Sequence, residues 1–335
     1  MFLSTKALCV DKDGTIVKQG TALEGAIDFL NGCSVPFVVA SNTGVRDTSE
    51  VHSDLEGHGL RVDHPHDAYI RTAGQDLAKL LNEREWGGEE KLVVVSPNKN
   101  WRSLLSPRLL PRLVHLKEAK KEPLCSSYHV ALFSDGKLCE EGEYDSLSSI
   151  CTLASRGCTL YFSSSDSCLV ASDGSILPGP GSVLASVRSV VPNVRVVVAG
   201  KGGETSFFND CISLLRGIGF EGQARNVLFV GDRLDTDMLA GKVGMQTCLV
   251  ETGCNTERDA VLSTRSAVHH VASSLADIPI PMWSTNPIHY VGVLLRSRFC
   301  SFLGSDAVPI VSERARRLVP PRRVWSTGDL AKMGG

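Results

Sequence analysis

Short apolar, β-rich runs recur along this chain, each closing in polar or glycine-containing residues and followed by a stretch able to form a helix. "KALCV" precedes "ALEGAIDFLNG", "VPFVVAS" precedes "DTSEVHSDLEGHG", "VRVVVAG" precedes "ETSFFNDCISLLRGIG", and "NVLFVG" precedes "DTDMLAGKVG". Alternation of this kind implies βαβ units and a parallel sheet in an α/β fold. Ligands of such sheets sit in the crevice outside the carboxyl ends of the strands. The four ends carry Asp11, Ser41, Lys201 and Asp232, and Asn42 stands beside Ser41.

The stretch between Ser41 and Lys201 needs filling. Residues from about 77 to 188 hold strand-like pieces of their own ("KLVVVS", "SSYHVALFS", "CTLYFSS") with helical candidates between them, enough for a second α/β domain inserted into the first. A length of 335 residues also exceeds what one hydrophobic core usually serves. The expected division is a core of residues 1–76 and 189–280, an insertion of 77–188, and an extension of 281–335.

Composition separates the extension from the body. The chain is 42% hydrophobic and 21% charged with a formal net charge of -2, which gives no overall bias toward nucleic acid or an anionic membrane. From Met282 onward, however, eight Arg and Lys face three Asp and Glu. "RARRLVPPRRVW" has no sustained period and is expected as a solvated, partly disordered extension. Eleven scattered cysteines with no C-x-x-C pair and no zinc spacing indicate a reducing compartment. The amino terminus lacks the build of a secretory signal, and no apolar run approaches the roughly 20 residues that span a bilayer. A soluble, cytoplasmic protein is expected.

The pair Asp11 and Asp13 in "LCVDKDGTIV" suits a surface turn when taken alone. A calcium loop fails, because the sixth and twelfth positions from Asp11 hold Ile16 and Ala22 rather than Gly and Glu. An apolar strand running into Asp11 opens a third reading. Residues i and i+2 of an extended segment face the same side, so a bend after Asp11 could aim both carboxylates into one cleft, one to attack and one to move a proton. Adjacent carboxylates repel, and Mg²⁺ is the usual remedy where they work on a phosphate. "FVGDRLDTD" adds Asp232, Asp235 and Asp237, although acids at a helix N-terminus also answer to the macrodipole. Lys201 is either a solvated loop lysine or a charge set against carboxylates; it is not a Walker lysine, since Gly202 follows it. Ser41 and Asn42 either cap the next helix or contribute to an anion site.

In order, "DKDGT", "SNTG", "GK" and "GDRLDTD" resemble the four motifs of the haloacid dehalogenase-like superfamily. The large insertion between the second and third motifs is similar to the type IIA branch, which includes 4-nitrophenylphosphatases, phosphoglycolate phosphatases and pyridoxal phosphatases. The likeness covers roughly residues 5 to 280. It implies a Rossmann-like, doubly wound core with an inserted α/β cap, and Mg²⁺-dependent hydrolysis of a small organic phosphate. By that resemblance Asp11 is the nucleophile, Asp13 the general acid/base, and Thr15 a support of the turn after them and, with Ser41 and Asn42, a phosphate-binding residue. Ser41 and Asn42 bind the phosphoryl group, Lys201 stabilises its charge, and Asp232, Asp11 and the Asp13 carbonyl hold the metal, with Asp237 acting through a metal-bound water. Asp13 favours a phosphatase over a dehalogenase, since an alkoxide leaving group needs a proton. Relatives in the branch often dimerise through the cap, which leaves a homodimer open for this chain, and the charge balance gives no reason to expect a DNA partner.

Two departures fall near the site. Gly202 stands where the branch usually has Pro after the lysine. The cap segment, usually Thr-Asn-x-Asp, reads Ser163, Ser164, Ser165 and Asp166, so Asp166 remains as the cap's candidate for substrate choice. A competing reading is a binding or scaffold protein that keeps the fold and acts through its Arg-rich tail.

Overall fold

The structure, a computed structural model, describes residues 5–121, 127–138, 142–170, 175–203, 206–263 and 268–279. The basic extension and its expected disorder lie outside the described residues.

Six parallel strands form the first sheet, in the order His270–Ala272, Gln246–Val250, Val227–Gly231, Ala7–Asp11, Phe37–Ser41, Ile70–Thr72. Counted along the chain within this sheet the order is 3-2-1-4-5-6, the doubly wound Rossmann arrangement, whose switch point lies between the first and fourth strands. Those two strands are Ala7–Asp11 and Val227–Gly231, so Asp11 and Asp232 flank the crevice where such sheets bind ligands.

Both faces of this sheet are covered, which explains why its strands read as continuous apolar runs. Leu8 and Val10 point to one side with Val39, Leu228 and Val230, against Phe29 and Leu55 of two flanking helices. Cys9 points to the other with Val38 and Phe229, against Phe207, Phe208 and Cys211 of the helix Ser206–Gly217. "DTDMLAGKVG", expected as an α-helix, is instead the 3-10 segment Asp237–Val243, ended by Gly244 with φ of 83°.

A second parallel sheet of five strands follows the order Arg195–Val198, Thr159–Phe162, Tyr128–Leu132, Lys91–Val95, Leu113–Val114. The helix Ala73–Glu83 packs Leu77 and Leu81 beneath one face, with Ala131 and Phe133. Helices Glu143–Ser155 and Pro180–Val190 cover the other with Ile150, Leu153 and Val187.

One strand differs from expectation. Arg195–Val198, placed by its sequence in the core sheet, pairs with Thr159–Phe162 and forms the edge of the second sheet. A short run of three valines after an exposed arginine has no signal for which of two covered parallel sheets it joins. The chain therefore re-enters the first unit just before Lys201 rather than near residue 189.

Candidate active site

Asp11 ends its strand buried, at 3% exposure, between the main chain of two neighbouring strands. Lys201, on a short 3-10 turn after the edge strand of the second sheet, reaches across and places Nζ 2.5 Å from Asp11 Oδ1 and 2.6 Å from Asp237 Oδ1. Burial alone would lower the lysine's pKa; the facing carboxylates of Asp11 and Asp237 outweigh it and hold the ammonium above the ordinary lysine range.

The acids outnumber this cation. One carboxylate oxygen each from Asp11, Asp232 and Asp237 lies within 4.8 Å of the others, and all three residues are buried. Asp232 Oδ2 accepts the Cys254 N–H at 2.6 Å while its Oδ1 is buried with no hydrogen-bond partner. Asp237 Oδ2 accepts the Arg233 N–H at 3.0 Å. Burial, reinforced by the Asp237 charge, pushes the Asp232 carboxyl up to about 6. Burial likewise raises Asp11 well above the carboxylate range, against the opposing pull of Lys201. Three hard oxygen donors, one of them unsatisfied, fit a divalent cation, whose charge would relieve this crowding.

The remaining predicted residues gather around this floor with one exception. Asn42 accepts the Lys201 N–H on Oδ1 at 3.0 Å and donates through Nδ2 to Asp166 Oδ1 at 3.0 Å. Ser41 is fully buried and its Oγ accepts the Thr43 N–H at 3.3 Å. Neither caps the following helix, whose cap is Asp47 in a reciprocal pair with Glu50. Asp13 has its carboxylate exposed toward the opening, with Lys12 Nζ at 3.1 Å. These residues, with Asp166 and Asp232, line a cavity of about 480 Å³. Thr15 does not reach it: the side chain is wholly buried behind the turn and its hydroxyl has no partner. Asp235 also turns away, paired at 3.0 Å with Arg233.

Several cavity residues escaped the sequence reading. Lys12, between the two aspartates, is buried and bonds Asp54 Oδ2 at 2.8 Å, so the turn after Asp11 brings it beneath the loop rather than out to solvent. Asp135 follows the strand Tyr128–Leu132 and accepts from Thr43 Oγ1 at 2.8 Å and the Gly44 N–H at 2.5 Å, joining the second sheet to the "SNTG" loop. Arg233 approaches Asp166 Oδ1 at 3.4 Å through Nε and donates to the Cys168 carbonyl at 3.2 Å. Only Arg233 carried a usable signal, its place inside the "GDR" run.

Two family profiles match the chain, one described as haloacid dehalogenase-like hydrolase over residues 8–106 and one as HAD-hydrolase-like over residues 204–278. The chain belongs to the haloacid dehalogenase-like hydrolases. The first matched segment contains Asp11, Asp13, Ser41 and Asn42, and the second contains Asp232 and Asp237; Lys201 and Asp166 fall between them.

Solved structures agree in fold. A glycerol phosphate phosphatase from Mycobacterium tuberculosis, crystallised with magnesium, is 22% identical at a TM-score of 0.65, over 82% of this chain and 76% of its own. A p-nitrophenyl phosphatase from Archaeoglobus fulgidus is 21% identical at 0.62, over 81% of this chain and 97% of its own. A 4-nitrophenylphosphatase from Thermotoga maritima is 22% identical at 0.62, over 82% and 96%. No curated relative matches by sequence. Among the described residues of this haloacid dehalogenase-like hydrolase, no helix is long and apolar enough to cross a membrane.

Proposed function

We propose that this hydrolase is a Mg²⁺-dependent phosphatase of small organic phosphate monoesters, working through an aspartyl-phosphate on Asp11. The observation that carries the reading is the buried cluster of Asp11, Asp232, Asp237 and Lys201, of which Asp11, Asp232 and Lys201 line one cavity together with the exposed Asp13 carboxylate.

Asp11 and Asp232, with the main-chain carbonyl of Asp13, would hold the cation, and Asp237 would act through one of its waters. When bound, Mg²⁺ supplies positive charge that offsets the phosphoryl oxygens and lets the anionic carboxylate approach them. An oxygen of Asp11 attacks phosphorus, and the bond from phosphorus to the leaving-group oxygen breaks. Asp13 gives its proton to that oxygen, then takes one from the water that attacks the aspartyl-phosphate, releasing inorganic phosphate and restoring Asp11. Lys201 neutralises charge on the transferring group, and the Asn42 amide and Ser41 hydroxyl orient it.

Residues 77–188 and the strand Arg195–Val198 are read as the cap that excludes water during attack. Asp166 and Arg233 border the cavity and are its candidates for choosing the leaving group. The test is phosphate release from a panel of phosphorylated metabolites by the purified protein, with Mg²⁺ and with EDTA. Metal-dependent release from at least one member is expected, and none from any would overturn the reading.

A further inference from the structure

We infer that Asp76, outside the cavity, is a positioning residue that sets where Lys201 stands against Asp11. The inference deepens the phosphatase reading and rests on it for its kinetic consequence.

Lys201 belongs by its strand to the second sheet, yet its charge must be delivered to the floor of the first. Two successive amides make that delivery. The Gly200 N–H donates to Asp76 Oδ2 at 2.8 Å and the Lys201 N–H to Asn42 Oδ1 at 3.0 Å. Gly200 has φ of +66°, and a Cβ there would lie 2.8 Å from Asn42 Oδ1, the Ala73 Cβ and the Ser163 carbonyl alike. The turn is thus held in one conformation by its surroundings, and Asp76 supplies the acceptor at its start.

Asp76 is 1% exposed and does not itself line the cavity. Burying a carboxylate is costly unless it is paired and hydrogen-bonded. Arg71 Nη2 lies 3.3 Å from Asp76 Oδ1 and 2.6 Å from Asp210 Oδ2, and Lys79 Nζ lies 2.8 Å from Asp210 Oδ1. The acid is therefore kept in a network that fixes its orientation. Capping its own helix does not account for it, because Thr72 and Gln75 already form the reciprocal cap of Ala73–Glu83.

A displacement of a charge-stabilising group by about 1 Å can cost on the order of 100-fold in rate without touching ground-state binding. The test compares the full-length protein with Asp76→Ala, Asp76→Ser and Asp76→Asn in phosphate release with Mg²⁺, together with crystal structures of each folded variant. Serine is too short to reach Gly200 and gives the loss variant if alanine does not fold; asparagine keeps an acceptor at the same reach. Expected are a kcat lower by about 10- to 100-fold in the loss variants, a KM within about threefold of wild type, and recovery of most of the rate in Asp76→Asn. The crystal structures should show Lys201 Nζ moved off Asp11 in the loss variants and restored in Asp76→Asn. A folded loss variant with unchanged kcat, or with Lys201 still on Asp11, overturns the inference. If wild type releases no phosphate the phosphatase reading fails, and the position of Lys201 in the crystals then decides the inference alone.

Discussion

Lys201 follows a strand of one sheet, and its ammonium lies 2.5 Å from the carboxylate of Asp11, which ends a strand of the other. The charge cluster proposed as catalytic is completed across two separately covered sheets. Lys201→Met should therefore damage both stability and turnover. Removing one partner of a buried ion pair costs about 3 kcal/mol or more, and the loss should shrink when Mg²⁺ is present to offset Asp11 and Asp237. Turnover should fall at least about 100-fold. Chemical unfolding with and without Mg²⁺, alongside steady-state rates, checks both. Wild-type stability in the variant without metal contradicts the pairing.

Metal should stabilise the folded chain independently of any substrate. A ligand bound only by the folded state adds about 2.7 kcal/mol at 100 times its dissociation constant. For a chain of 335 residues that corresponds to a rise in Tm of roughly 4 °C. Asp232→Asn removes the donor whose Oδ1 is left unpartnered, and should abolish most of the shift. An equal Mg²⁺ shift in that variant places the cation elsewhere.

Gly202 has a steric reason in this chain. A Cβ at that position would collide with the Ser165 hydroxyl and lie 3.0 Å from the Ser165 Cβ. Gly202→Ala should lower stability, and Ser165→Ala should recover part of the loss, because it removes the hydroxyl and leaves the tight Cβ approach. The expected coupling in a double-mutant cycle is about 0.5–3 kcal/mol. Additive losses contradict the contact.

Asp135 gives a pH signature. Burial pushes its carboxyl up to about 6, above the unfolded value near 4. The folded state therefore holds this proton more tightly, so the group favours folding most below about pH 4 and loses that contribution as pH rises through about 6. Subtracting the Tm of Asp135→Asn from that of wild type across pH 4 to 7 cancels the other titrating groups. The difference should decline toward pH 7, and a flat or rising difference contradicts the account.

The alternation of strand and helix was enough to read the parallel sheet, its open rim and the large insertion. Asp11 and Asp232 were legible because each follows an apolar run and because compatible groups stand at the other strand ends, which together outweighed a surface turn. Lys201 was placed at the right rim by way of the wrong sheet, since Arg195–Val198 pairs by long-range contacts that leave no local mark. Lys12, Asp135 and Asp76 were missed for a similar reason. Each is a single charged residue whose partner, Asp54, Thr43 or Gly200, comes from a different element of the fold. Thr15 is a motif position whose hydroxyl the turn buries behind the site.

Everything proposed for this site turns on Asp11 as the group that attacks phosphorus. The most direct measurement is metal-dependent hydrolysis of a generic aryl phosphate by wild type and by Asp11→Asn, with the fold of both confirmed by circular dichroism and thermal unfolding. Asparagine cannot form the acyl-phosphate, so turnover should fall by at least about 10⁴-fold in a protein that remains folded. Turnover within tenfold of wild type in folded Asp11→Asn would remove Asp11 as the nucleophile.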